Sequence, residues 1–258
     1  IYREAIYHPG APTISAAWAA GQDVGADGET FLRAVVVGYE LSTRIGAALG
    51  RSHYRYWHNT GTVGTFGAAA AAAALYGLDS KRFAHALATA ATFAAGLQQA
   101  FRTDSMSKPL HAGRAAEAGV LAAQLARADF TGSAAVLDGE TGLARAMGER
   151  GEGEPDWSSA LATLGQVFNI EAMTFKNHAC CGHTFAAIDG ALALKQRMGI
   201  TADDIARVQV ATYRPALDVA GNVQPRTAAE ARFSLFYVVA TGLRFDRVRL
   251  AAFTDERL

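Results

Sequence analysis

An excess of charge of either sign is missing from this 258-residue chain: Lys and Arg together number 24, Asp and Glu 24, and the formal net charge is zero. Without a global field there is nothing to gather nucleic acid or an anionic membrane, so an anionic ligand has to be held by a local cluster. Cysteine is scarce as well, with only Cys180 and Cys181. Neighbours in sequence rarely bridge, because disulfide geometry strains so tight a ring, and a reducing, cytoplasmic setting is expected. The first residue is Ile1 rather than methionine, which leaves a lost signal or transit peptide open. A Rossmann glycine fingerprint and a P-loop are both absent, which removes support for a nucleotide cofactor. Residues 59–78 carry no charge, yet much of that run is the seven alanines Ala68 to Ala74 with Gly and Thr. Such weakly hydrophobic residues suit a helix packed tightly inside a soluble domain, not a membrane span.

What is present points to helices. Half of the residues are hydrophobic, enough for a substantial core in one large domain or two smaller ones. Residues 14–125 read as successive helices, and their many small residues imply close helix separation. The composition changes at the polar, glycine-rich connector Gly151-Glu152-Gly153-Glu154-Pro155. Beyond it, residues 184–195 read as a helix, Thr201 as the cap of a short one, 207–213 as an alternating half-buried strand and 233–243 as a helix again. The expected fold is therefore mainly α with an α+β part: a helical domain over residues 1–164 and an α+β domain over 165–258, both looking cut at their outer ends.

Reactive side chains gather in a few stretches. In Lys108-Pro109-Leu110-His111-Ala112-Gly113, the proline marks a helix start whose free amides favour anions, and Lys108 sits beside it. Gly113 and Gly119 are expected to admit close helix contacts. His58 follows Tyr54-Arg55-Tyr56-Trp57 and precedes the alanine helix, where burial and the helix dipole would lower its pKa and keep it neutral. It reads equally as an acid/base group or as a capping or core residue. His8, ahead of Pro9-Gly10, reads as an acid/base group or an ordinary surface histidine. Lys176-Asn177-His178-Ala179-Cys180-Cys181-Gly182-His183 holds metal-ligating types, but adjacent cysteines seldom converge on one ion, so no metal is expected. A thiolate nucleophile near Lys176 competes there with inert buried cysteine. Arg232 offers a fork for a carboxylate and Tyr237 a neutral donor, and either also suits an interdomain contact.

His8-Pro9-Gly10, Trp57-His58-Asn59-Thr60, Lys108-Pro109-Leu110-His111-Ala112-Gly113, Phe175-Lys176 with Cys180-Cys181, and Ala231-Arg232-Phe233-Ser234-Leu235-Phe236-Tyr237 occur in the order in which the MmgE/PrpD family carries them. The chain resembles that family over almost its whole length. The resemblance implies a large helical domain with a smaller α+β domain, usually in a homodimer, and chemistry on a small polycarboxylate without metal or organic cofactor. It also implies members longer than this chain, with an acidic motif just before Ile1. His8, His58, Lys108, Lys176 and Tyr237 match site positions, with Arg232, Cys181 and His178 expected against the substrate. His178-Ala179 stands where the family commonly has Tyr-Pro, and Phe185 replaces a frequent histidine. Cys181 stands where the decarboxylases tend to carry histidine, which disfavours decarboxylation. The resemblance thus favours dehydration of a hydroxylated, 2-methylcitrate-like di- or tricarboxylate, with epimerisation of an iminodisuccinate-like diacid next. A non-catalytic scaffold of the same fold is the third reading.

Overall fold

The computed structural model describes residues 1–101, 105–148 and 155–257. The chain divides into two compact units, one comprising Ile1–Ala100 and Met106–Thr174, the other chiefly the chain from Phe175 onward. Of the connector expected at 151–155, residues 151–154 lie outside the described residues.

Five helices build the first unit: α1 (Gly10–Val24), α2 (Gly28–Tyr56), α3 (Asn59–Leu75), α4 (Ser80–Phe93) and α5 (Ser107–Arg127). The short α6 (Leu143–Met147) and α7 (Trp157–Leu161) follow. At α3 the sequence removes bulk: Ala68 to Ala73 are all fully buried, and the helix is enclosed by α1, α2, α4 and α5. Alanine loses no side-chain entropy in a helix and lets a neighbour's backbone approach, so α3 forms the axis of the bundle. The approach is closest where glycine faces backbone. A Cβ at Gly119 of α5 would stand 2.4 Å from the Ala68 Cβ and 2.6 Å from the Ala69 nitrogen. On the opposite flank, a Cβ at Gly38 of α2 would meet the Thr13 methyl group and the Gly67 carbonyl at 2.5 and 2.6 Å, which locks α1, α2 and α3 together. The uncharged stretch at 59–78 is thus a core helix, and among the described residues no helix is long and apolar enough to cross a membrane.

Larger residues fill the spaces around this axis, with Tyr7, Ile45, Leu49, Val63 and Phe66 in one cluster. Within the same unit, Arg44 of α2 lies buried beside Glu40, 3.2 Å away. Its guanidinium also donates to the carbonyls of Ala160 and Val167, each at 2.7 Å, and so ties α7 and the segment after it to α2.

In the second unit, α8 (Phe185–Met198) packs on α11 (Leu235–Phe245) through Ile188, Val238, Val239 and Leu243, with Val248 and Phe253 completing the core. Between them lie the short α9 (Arg214–Ala220) and α10 (Ala228–Ala231). Thr201 caps a short turn of helix at Ala202–Asp204 with a reciprocal Asp204 contact, as its position in sequence suggested. The expected strand is a correction: residues 207–213 carry no regular secondary structure and form no β-bridge among the described residues. Val208, Val210 and Tyr213 remain 47, 36 and 54% exposed. Alternation sets which side chains share a face, but a strand also needs a neighbouring backbone to pair with. The fold is therefore mainly helical.

Gly113 corrects a second expectation, since nothing stands within 4 Å of a Cβ placed there. The two glycines of α5 accordingly make opposite predictions. Gly119→Ala forces backbone apart and is expected to destabilise the first unit by about 1–3 kcal/mol. Gly113→Ala is expected to stabilise it by up to about 1 kcal/mol through helix propensity. Urea unfolding of both variants checks the pair, and equal midpoints would contradict the packing described.

Candidate active site

Three segments of the first unit converge at the start of α3. His58 is its N-cap residue in extended conformation, and its backbone N–H donates to the Gly96 carbonyl at 2.9 Å. Its ring is 3% exposed, and its Nδ1 lies 2.9 Å from Nδ1 of His111 in the first turns of α5. The His58 side chain makes no capping bond to its own helix. His8 precedes Pro9, the N-cap of α1, and Tyr7 before it is fully buried, which anchors the loop. The His8 ring is bonded through Nδ1 to the Thr60 hydroxyl at 3.1 Å, and its centroid lies 6.4 Å from that of His58. Asn59 adds a further tether by donating to the Ala5 carbonyl.

Glycine makes this convergence possible. A Cβ at Gly61 would stand 2.4 Å from the Ala95 carbonyl oxygen and 3.3 Å from the His111 Cβ. Gly96, at φ +134°, would bring one to 3.3 Å from His111 Nδ1. Side chains at either position would displace the imidazole.

The electrostatics follow from burial and from like charge. His58 is pushed down to about 2, first by burial and then by Lys108, His111 and His8, each of which repels a cation on its ring. His111, less buried, is also lowered, by burial and then by Lys108. Both imidazoles are therefore neutral near pH 7, with an ammonium group close by. Lowered pKa values in a cluster of this kind make it the candidate functional site. The two Nδ1 atoms face each other at hydrogen-bond distance, and among the described residues no three His, Cys, Asp or Glu side chains are arranged around a common metal position.

The structure thus brings together His8, His58 and Lys108 of the expected residues. It adds His111 and Thr60, which the reading of the sequence had not singled out. His111 lies three residues after Lys108, on the same face of α5, and that spacing is the signal that would have found it.

Within the second unit the expected residues are differently engaged. Lys176 is exposed, with Nζ 3.5 Å from the Cys180 carbonyl. His178 is buried, and its Nε2 lies 2.7 Å from Asp189, so its ring serves a local contact. Cys181 is buried, and its backbone N–H donates to the Arg232 carbonyl at 2.9 Å, which puts the two residues side by side. Cys180 is pushed up to about 11 by burial, which leaves its thiol protonated and unreactive at neutral pH. The guanidinium of Arg232 lies 5.3 Å from the Phe253 ring centroid. The Tyr237 hydroxyl donates to the Ala252 carbonyl at 2.5 Å and lies 3.1 Å from that of Arg257, so its proton is already engaged with backbone.

Comparison with known proteins gives the family of the chain. Residues 1–155 match the MmgE/PrpD N-terminal domain and residues 178–258 the MmgE/PrpD C-terminal domain. The chain belongs to the MmgE/PrpD family. It is 30% identical over 244 residues to a cis-aconitate decarboxylase-like protein, oryM, of Aspergillus oryzae, covering 90% of this chain and 50% of that protein. It is 26% identical to cis-aconitate decarboxylase of Aspergillus terreus, covering 98% of this chain and 55% of the relative. The human cis-aconitate decarboxylase is 28% identical over 204 residues, 77% of this chain and 41% of the human protein. The chain thus spans about half the length of the fungal relatives it matches.

A buried neutral histidine predicts how stability depends on acid. His53, fully buried with Nε2 2.8 Å from the Thr62 hydroxyl, is pushed down to about 4 by burial. Between its ordinary value near 6.5 and about 4, the unfolded chain binds a proton that the folded chain refuses, so stability falls as pH falls through that window. The loss is about 3 kcal/mol by pH 4. Urea midpoints measured from pH 7 to pH 4 should drop accordingly, and less steeply in His53→Gln. A flat profile in the native protein would contradict the neutral assignment.

Proposed function

We propose that this protein is a metal-independent lyase of a small polycarboxylate, in which a buried histidine removes a proton from the carbon next to a carboxylate. The observation that carries the reading is the neutral His58 held beside Lys108. Taking a proton from such a carbon drives negative charge onto the carboxylate, and a fixed cation in a water-poor site stabilises that charge strongly. His58 takes the proton in this scheme, His8 serves the leaving group, and Lys108 anchors a carboxylate. For Lys176 and Arg232 as further anchors, and Tyr237 as a donor, support comes from the family resemblance.

Dehydration of a hydroxylated di- or tricarboxylate stays the first choice, because a neutral imidazole serves as a base and the first step of dehydration needs one. Loss of carbon dioxide from an unsaturated tricarboxylate is the second reading. It is favoured by the names of the relatives, cis-aconitate decarboxylases at 26 and 28% identity and a decarboxylase-like protein at 30%. Epimerisation of a diacid begins with the same proton removal.

The readings separate when the purified protein is incubated with 2-methylcitrate, citrate, cis-aconitate and iminodisuccinate. Ultraviolet growth of an unsaturated acid from a hydroxy acid supports dehydration, whereas release of carbon dioxide from cis-aconitate supports the second reading. Deuterium uptake from heavy water without new unsaturation supports epimerisation. No reaction with any of the four favours a non-catalytic scaffold.

For the reaction found, His8→Ala and Lys108→Ala should each lower kcat/KM by about 10²-fold or more, while Lys81→Ala, exposed on α4, leaves it unchanged. Equal activity in all three variants would defeat the assignment of the site.

A further inference from the structure

We propose that His111 is a positioning residue for His58: the two rings share one proton between their Nδ1 atoms, and a proton taken at His58 Nε2 is passed on toward solvent through His111. The relay rests on the reading of His58 as the acid/base group. The shared proton rests on geometry alone.

The Nδ1 atoms are 2.9 Å apart, and the ring centroids 5.2 Å apart at a tilt of 48°. Two ring nitrogens at that separation need a hydrogen between them, so one donates and the other accepts. A neutral imidazole carries a single ring proton, which makes the two tautomers complementary. When His58 Nδ1 donates, its Nε2 is bare and can act as a base, and His111 holds its proton on Nε2. When His111 Nδ1 donates, His58 holds its proton on Nε2 and His111 Nε2 is bare. The state of one ring therefore sets the state of the other.

Burial and charge give the exchange a purpose. His58 is 3% exposed, and Lys108, His8 and His111 all oppose a cation on it, so an imidazolium there is costly. A base that cannot remain charged has to pass a proton on. The balanced sequence starts with His58 Nδ1–H bonded to His111 Nδ1. His58 Nε2 takes the substrate proton, the Nδ1 proton crosses to His111, and His111, the less buried ring, gives its Nε2 proton to water. Both rings end neutral with their tautomers exchanged, and one proton has moved from carbon to solvent. After the product leaves, His111 takes a proton from solvent at its bare Nε2, its Nδ1 proton crosses back to His58, and His58 gives up its Nε2 proton to water. The backbone at Gly61 and Gly96 packs against the His111 side chain beside its partner.

Two measurements test this. Nitrogen-15 spectra of histidine-labelled protein at pH 7, assigned through His58→Asn and His111→Asn, should show one Nδ1 of the pair protonated and the other bare. Two protonated or two bare Nδ1 atoms would overturn the shared proton, whatever the activity. The second measurement is the proton inventory of kcat in mixtures of light and heavy water. The native protein should give a curved inventory, because the proton crossing to His111 and the one leaving for water both occupy solvent-exchangeable sites. His111→Asn, shown to be folded by circular dichroism, keeps a bond to His58 but cannot relay a proton. It should give a linear inventory, with kcat lower by about 10²-fold and KM within about twofold. A variant with the native inventory and native kcat, or a native protein with a linear inventory, would overturn the relay. If none of the polyacids reacts with the native protein, the lyase reading falls and the relay with it, while the nitrogen spectra still decide whether the rings share a proton.

Discussion

The tight enclosure of α3 is the constraint on which the first unit depends. Ala68 to Ala73 give up side-chain volume along most of its circumference, and Gly38, Gly64, Gly67 and Gly119 bring its neighbours in to backbone distance. An axis held on every side cannot shift along its length without collision, because a close-packed interior has no slack to absorb the movement. The residue at its N-terminus is therefore held as firmly as the helix. That residue is His58. Its position in space follows from the small volumes of the glycines and alanines one to four turns away, none of which has a polar side-chain atom to offer a substrate.

The chemistry at that point comes from the same enclosure. Water is excluded from the start of α3, and a positive charge there meets an environment with little to solvate it and with Lys108 close by. A side chain that would titrate near neutrality in solution becomes a neutral group throughout the physiological range. Packing and protonation state are in this sense one property of the bundle. His53, one helical turn before the end of α2, shows the same effect at a purely structural position, where a Thr62 hydroxyl is its partner.

Much of the helical part was legible in the sequence, because small-residue periodicity and caps are local signals. The Lys108-Pro109 helix start, the His58 junction and the Thr201 cap stand where the spacing puts them. What could not be read depends on partners distant in the chain. The meeting of His58 and His111 joins positions 53 residues apart, and the difference between Gly113 and Gly119 is a matter of which one faces α3. Residues 207–213 show the converse, since alternation was visible but pairing with a second segment is not a property of the segment itself. Tyr237 and His178 were named for their chemistry, yet backbone carbonyls and Asp189 occupy their polar atoms.

The wall behind the His111 imidazole is main chain, formed at Gly61 and Gly96. Main chain offers the same surface whatever mutations accumulate around it: a side chain at Gly61 would collide with the Ala95 carbonyl, and one at Gly96 would crowd the ring from a backbone conformation that side chains rarely adopt. That side of the imidazole pair is closed to evolutionary tinkering. Divergence toward new ligands within this lineage has to be written in other residues, while the imidazole pair keeps an invariant backdrop.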